Sequence, residues 1–184
     1  MQVLGVILAG GASSRMGKPK PLVKLREKTL IWHVIRGLAP QVNDLLVSGP
    51  EDFGSGLPFA PDRRISHPGP LAGIEAALYW LRKNKPDFTG IVTAPVDGPY
   101  LDIALVKKLT ASGKPALAIC QGRRQPTYGF WPAGLGDDIV KFLDDSPRLS
   151  LIAWAEHVGA KTVEFENAKS FININDPEEL SKLE

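Results

Sequence analysis

The chain has 184 residues, 43% hydrophobic and 23% charged, the balance of a globular protein large enough for one well-packed domain. A formal charge of +2 is too small to argue for nucleic acid or an anionic membrane as partner, and a single cysteine excludes an internal disulfide or a cysteine zinc cage. The charge is uneven: Arg15, Lys18, Lys20, Lys24, Arg26 and Lys28 crowd a stretch whose one acid is Glu27, which suits a small polyanionic ligand or a solvated positive face.

Apolar runs and helical patterns alternate along the chain. Residues 3–9 read as a buried strand ending in a glycine turn, and residues 29–39 as a helix with Leu30, Val34, Ile35 and Leu38 on one face. Residues 44–48 read as a strand and 57–60 as a short one. Residues 70–84 form the strongest helical pattern, with proline at the first turn and an apolar stripe through Leu71, Ile74, Leu78 and Leu81. Strands are predicted over 88–94, 116–121, 127–131, 162–165 and 171–174, and helices over 101–111, 137–143 and 150–157. A last helix starts at Asp176 as cap, with Pro177 in its first position and Glu179 three residues after the cap. This alternation predicts an α/β three-layer sandwich with a mostly parallel, Rossmann-like sheet, whose ligands bind beyond the carboxyl ends of the strands. Cys120 reads as a buried structural thiol, and His33 and His157 as structural residues within helices; His67 reads as a surface-loop residue. No positive residue precedes the first apolar run, and no stretch approaches the ~20 residues of a membrane span, so a cytoplasmic location without membrane association is expected.

The loop after the first strand runs Leu8-Ala-Gly-Gly-Ala-Ser-Ser-Arg-Met-Gly-Lys-Pro-Lys20. Gly10 and Gly11 let consecutive backbone N–H groups converge on phosphate oxygens, while Arg15 offers a two-pronged cation and Lys20 a point charge. It is neither a Walker A loop nor a Gly-x-Gly-x-x-Gly fingerprint. Asp97, in Thr93-Ala-Pro-Val-Asp-Gly-Pro-Tyr100, follows a buried strand. It sits where such a sheet places a ligand, or it forms a turn before Gly98-Pro99. Asp62, six residues before Pro68-Gly-Pro-Leu-Ala-Gly73, reads from its neighbours as the cap of a turn beside Pro61.

The first loop resembles the LAGGxSxRMGxDK signature of the molybdenum cofactor guanylyltransferases, the MobA-type branch of the nucleotidyltransferases. Pro19 stands where that family has aspartate. Further matches follow in order: the Asp62…PGPLAG run, the Asp97 segment like the family's CDxPY motif, Gln125-Pro-Thr127 like its (H/Q)PT, and Phe171-Ile-Asn-Ile-Asn-Asp-Pro-Glu-Glu-Leu180 like its F-x-N-x-N-x-PEEL close. The resemblance spans Leu8 to Leu180 and implies a fold like the nucleotide-diphospho-sugar transferases. It implies one domain over 1–184, with an NTP-binding half to about residue 100 and an acceptor-binding half from about 101.

By the same resemblance Leu8, Ala9, Gly10, Gly11, Lys20, Ser48, Asp62 and Asp97 would contact the nucleotide. Arg15, Lys20 and Asp97 would be catalytic, with Mg2+ on Asp97, and Gln125, Arg148, Asn173 and Asn175 would face the acceptor. Ser48 replaces a frequent asparagine, and Leu149 the second of two arginines. The implied reaction moves GMP from GTP onto the phosphate of molybdopterin, with transient contact to cofactor-delivery or molybdoenzyme partners. Gly10-Gly11 favours guanine where cytidylyltransferases commonly have Ala-Gly. A cytidylyltransferase of the same fold and a non-catalytic nucleotide-binding adaptor are the competing readings.

Overall fold

A computed structural model describes residues 1–10, 17–64 and 69–183. Its strands are β1 (Val3–Leu8), β2 (Lys24–Leu25), β3 (Lys28–Thr29), β4 (Asp44–Ser48), β5 (Phe59–Ala60), β6 (Gly90–Pro95), β7 (Ala116–Cys120), β8 (Arg123–Pro132) and β9 (Lys161–Phe165). The α-helices are α1 (Leu30–Leu38), α2 (Pro70–Asn84), α3 (Leu105–Thr110), α4 (Gly136–Asp145), α5 (Leu151–His157) and α6 (Pro177–Ser181).

Seven strands form one sheet in the order β5-β4-β1-β6-β8-β7-β9, and β8 alone runs against the other six. Side chains alternate across it, as strand geometry requires. From β1, Val3 and Ile7 pack towards α1 and α3, joined by Val34, Leu38, Leu105 and Leu109. Leu4, Val6 and Leu8 pack the other way, with Ile74 and Leu78 of α2, Phe142 of α4 and Trp154 of α5. Burial on both faces explains why β1 reads as an unbroken apolar run rather than as an alternating one. Cys120 and both described histidines take the expected structural places: the thiol is buried, and His33 and His157 lie in α1 and α5.

The structure departs from the sequence expectations at four places. Residues 171–174 are not a strand. A single 3-10 turn ends at Phe171, and the chain beyond it is tied to the loop after β6 by Ile174 N–H donating to Asp97 O at 2.8 Å, which takes the amide a sheet partner would use. The helix expected over 101–111 shrinks to α3, because the Asp102 carboxylate accepts from Ala104 N at 2.8 Å and holds its own segment in a turn. β8 extends to Arg123–Pro132, four residues earlier than its apolar pattern, because Gln125 and Arg124 still pair with β7. The hairpin β2–β3 has no apolar signature at all; Arg26 and Glu27 turn it at left-handed φ values of 47° and 67°.

Candidate active site

The chain leaves β1 towards β4 on one side and returns through α2 to β6 on the other, so strand order reverses between β1 and β6. At such a switch point the loops leaving two neighbouring strands diverge and open a crevice. Register places Leu8 beside both Ser48 and Pro95, with Val96 N donating to Leu8 O at 3.1 Å and Ala9 N to Ser48 O at 2.8 Å. Gly10 and the Asp97 loop therefore leave the sheet side by side.

Lys20 closes the crevice. Pro19 opens a 3-10 turn over Lys20–Leu22, so its replacement of an acidic residue leaves the lysine directed inward. The Lys20 ammonium donates to Asp97 Oδ2 at 2.7 Å and to Asn175 Oδ1 at 2.9 Å, joining residues 77 and 155 positions away. Lysine and aspartate are 23% and 17% exposed, so the charges sit at the mouth of the sheet rather than in its core. Here they are charge-assisted hydrogen bonds that solvent and a ligand can still reach. A cavity of about 200 Å3 is bounded by Ala9, Gly10, Lys20, Asp97, Thr127 and Asn173. Pro70, the first residue of α2, also borders it, so the positive end of a four-turn helix faces the same space.

Asp62 lies close to Gly10: its Oδ2 is 4.0 Å from the point a Cβ on Gly10 would occupy. Its segment is tethered to α2 through the buried Glu75, which accepts from Arg63 Nη1 at 3.0 Å and Arg64 Nε at 3.2 Å. Ser48 is buried, and its hydroxyl lies against Gly73 of α2, where a Cβ would overlap it. Gln125 stands on β8 two residues before Thr127, and Arg148 is exposed between α4 and α5. Among the described residues neither forms a hydrogen bond or ion pair with the Lys20–Asp97–Asn175 group. Gly11, Arg15 and His67 lie outside the described residues.

Tyr128 is a site residue the sequence reading passed over. Its hydroxyl is fully buried, and Gly98 comes so close that a Cβ there would overlap it. Burial, and then the charge of Asp97, push its ionisation well above the ordinary tyrosine range. Tyr128 Oη and Asn173 Oδ1 are both buried without a hydrogen-bond partner among the described residues. Nothing in the run Thr127-Tyr-Gly-Phe-Trp131 marks this tyrosine beyond a core position; only the glycine two elements away reveals the approach.

Gly10, Lys20 and Asp97 meet at the switch point of a mostly parallel sheet, where α/β proteins bind ligands, and an exposed cation beside a carboxylate there suits a phosphate-bearing one. Comparison with known proteins specifies it further. Residues 5–160 match the MobA-like NTP transferase domain. A molybdenum cofactor guanylyltransferase of Cereibacter sphaeroides is 35% identical over 192 aligned positions, covering 100% of this chain and 96% of the relative. That of Rhizobium meliloti is 34% identical, covering 97% and 89%. The solved structure of molybdopterin-guanine dinucleotide biosynthesis protein A from Archaeoglobus fulgidus superposes with a TM-score of 0.74 at 22% identity, covering 98% of this chain and 96% of that one. A 4-diphosphocytidyl-2C-methyl-D-erythritol synthase from Anaerococcus prevotii shares the fold at a TM-score of 0.72 and 12% identity, covering 99% and 94%. The chain belongs to the MobA-like NTP transferase family and is a nucleotidyltransferase of the α/β type that its site defines.

Proposed function

We propose that the protein transfers GMP from GTP to the phosphate of molybdopterin, releasing pyrophosphate. The observation that carries this reading is the Lys20–Asp97 pair at the switch point, sharing one small cavity with Gly10. The full-length relatives named for guanylyl transfer support the choice of substrates. A phosphate monoester has its second pKa near ~6, so the acceptor is already nucleophilic at neutral pH and needs no general base. An acceptor oxygen forms a bond to the α-phosphorus while the bond from that phosphorus to the bridging oxygen breaks, and the electron pair leaves with pyrophosphate.

The protein's part is positioning and charge neutralisation. Leu8, Ala9, Gly10 and Gly11 present the backbone to the nucleotide, and Ser48 holds Ala9 through its carbonyl. Arg15 and Lys20 neutralise the phosphates, and Asp62 faces the nucleotide across Gly10. Gln125, Arg148, Asn173 and Asn175 serve the acceptor, dividing the chain near residue 100 into an NTP-binding and an acceptor-binding half. Asp97 would hold Mg2+: one carboxylate with substrate phosphates and water is the donor set this ion prefers. When bound, the ion supplies Lewis-acid stabilisation of the phosphoryl oxygens. Lys20 then passes its bond from Asp97 to a phosphate. The reaction belongs in the cytoplasm; among the described residues no helix is long and apolar enough to cross a membrane.

The test is mass spectrometry of the product from molybdopterin, Mg2+ and equal GTP and CTP. The guanine dinucleotide is expected; a cytosine dinucleotide, or bound GTP without any product, would overturn the reading.

A further inference from the structure

A second cavity, more spacious than the one containing Asp97, is a groove of about 1000 Å3 between the β2–β3 hairpin, α1 and the C-terminal segment. Five cations line it, Arg26, Lys28, Arg36, Lys169 and Lys182, and no lining residue is acidic. The cations that do pair with carboxylates lie outside the groove: Arg63 and Arg64 bind Glu75, Arg82 binds Asp137, Lys85 binds Asp44 and Arg124 binds Glu156. Among the described residues no carboxylate pairs with any of the five. Five like charges drawn from four separate elements and left unmatched around one concavity repel one another, and an anion relieves that repulsion.

Two of the five are held in place. Lys28 Nζ and Arg36 Cζ lie 5.4 and 5.3 Å from the centre of the Trp32 ring, within cation–π range. Arg26 is presented from a hairpin turn at φ 47°, a conformation a non-glycine residue adopts at a cost. Tyr100, Leu101 and Ile172 add apolar surface to the lining. The volume is at the upper end for a small-molecule site, and several cations around apolar surface suit a compact, multiply charged ligand.

We propose that this groove is a second anion site, distinct from the Lys20–Asp97 cavity, that takes an oligophosphate chain, either free or as part of a nucleoside triphosphate. The two cavities share a wall. Pro99 and Tyr100 face the groove where Asp97 faces the small cavity, and Ile172 does so where Asn173 faces it. The two segments of that wall are bonded through Ile174 N to Asp97 O. An oligophosphate in the groove therefore presses on the loop that carries Asp97, and it is a means of regulating that site. The proposal does not depend on which base or acceptor the enzyme uses.

Isothermal titration with tripolyphosphate and, separately, with GTP, both without metal, tests it. The full chain is expected to bind at two sites. Lys28→Ala/Arg36→Ala should lose one, with affinity there falling at least tenfold, while Lys20→Ala should lose the other. Because Lys28 and Arg36 also brace Trp32, Lys169→Ala is run beside them as an exposed single change and should weaken the same site severalfold. Two sites for both probes would mean that the phosphate chain suffices; two for GTP alone would mean that the nucleoside is read as well. A folded double variant with the same stoichiometry and affinities as the unchanged protein, for both probes, overturns the proposal.

Discussion

Gly98 leaves no room for a methyl group beside the Tyr128 hydroxyl, and that hydroxyl has no hydrogen-bond partner among the described residues. A buried polar group left unmade costs ~1–3 kcal/mol, so Tyr128→Phe should stabilise the ligand-free protein by about 1 kcal/mol in chemical denaturation. The sign of the pH dependence follows from the raised ionisation of Tyr128. The unfolded chain loses this proton near pH ~10 while the folded chain keeps it. The stability involved is fully present below that pH and is lost as pH rises towards the folded-state value. The alkaline fall should be shallower in Tyr128→Phe; equal slopes for both proteins would mean that the tyrosine is not the titrating group. Lys20 differs because its partners, Asp97 and Asn175, belong to the proposed site. Lys20→Ala should cut turnover about 10²–10³-fold, the usual cost of a lost phosphate-directed donor, with an unchanged circular dichroism spectrum. Turnover at the wild-type rate would place the reacting phosphates elsewhere.

At the scale of elements, Glu75 carries the most consequence. It is a carboxylate 4% exposed on the buried face of α2, and it clamps Arg63 and Arg64 beside Asp62, while Arg64 reaches on to Asp144 of α4 at 2.6 Å. Asp144 holds the Arg64 guanidinium above its ordinary ionisation, so that cation stays charged when Glu75 is removed. Glu75→Ala should cost about 2–3 kcal/mol in urea unfolding, since hydrogen bonds to charged groups contribute ~1.5–3 kcal/mol each and Arg63 is partly in water. It should also raise the KM for nucleotide more than it lowers kcat, because Asp62 loses its tether. Sequence alone places Glu75 within a helix but cannot show that it faces inward, since a charged residue in an apolar stripe looks like a flaw in the pattern. Local chemistry was more legible at α6: Asp176 accepts from Glu179 N at 2.9 Å, and Glu179 Oε2 accepts from Asn175 N at 2.6 Å, an arrangement written in five consecutive residues. The hairpin β2–β3 was not legible, because two-residue strands have no periodicity and its turn uses neither glycine nor asparagine.

For the whole molecule, the sheet decides what the sequence could reveal. Continuous apolar runs predicted β1 and β6 correctly because parallel strands are covered on both faces, and the family motifs at their ends fell at the switch point. Strand order and the reversed direction of β8 are long-range choices that no local pattern encodes. The meeting of Lys20 with Asn175 across 155 positions is of the same kind, and so is the oligophosphate groove, which assembles cations from both ends of the chain. If that topology gathers one nucleotide site, ligand should stabilise the entire sheet rather than a loop, because the site's walls are the ends of its central strands. Nucleotide at 100 times its Kd adds about 2.7 kcal/mol to the folded state, and in a chain of this size each kcal/mol moves Tm by roughly 2–4 °C. MgGTP should therefore raise Tm by roughly 5–10 °C in a single cooperative transition. Measured in the Lys28→Ala/Arg36→Ala protein, the shift excludes the groove, and Asp97→Asn in that background should remove its dependence on Mg2+. A metal-dependent shift that survives Asp97→Asn would assign the ion to another carboxylate, with Asp62, close to Gly10, the first to substitute next.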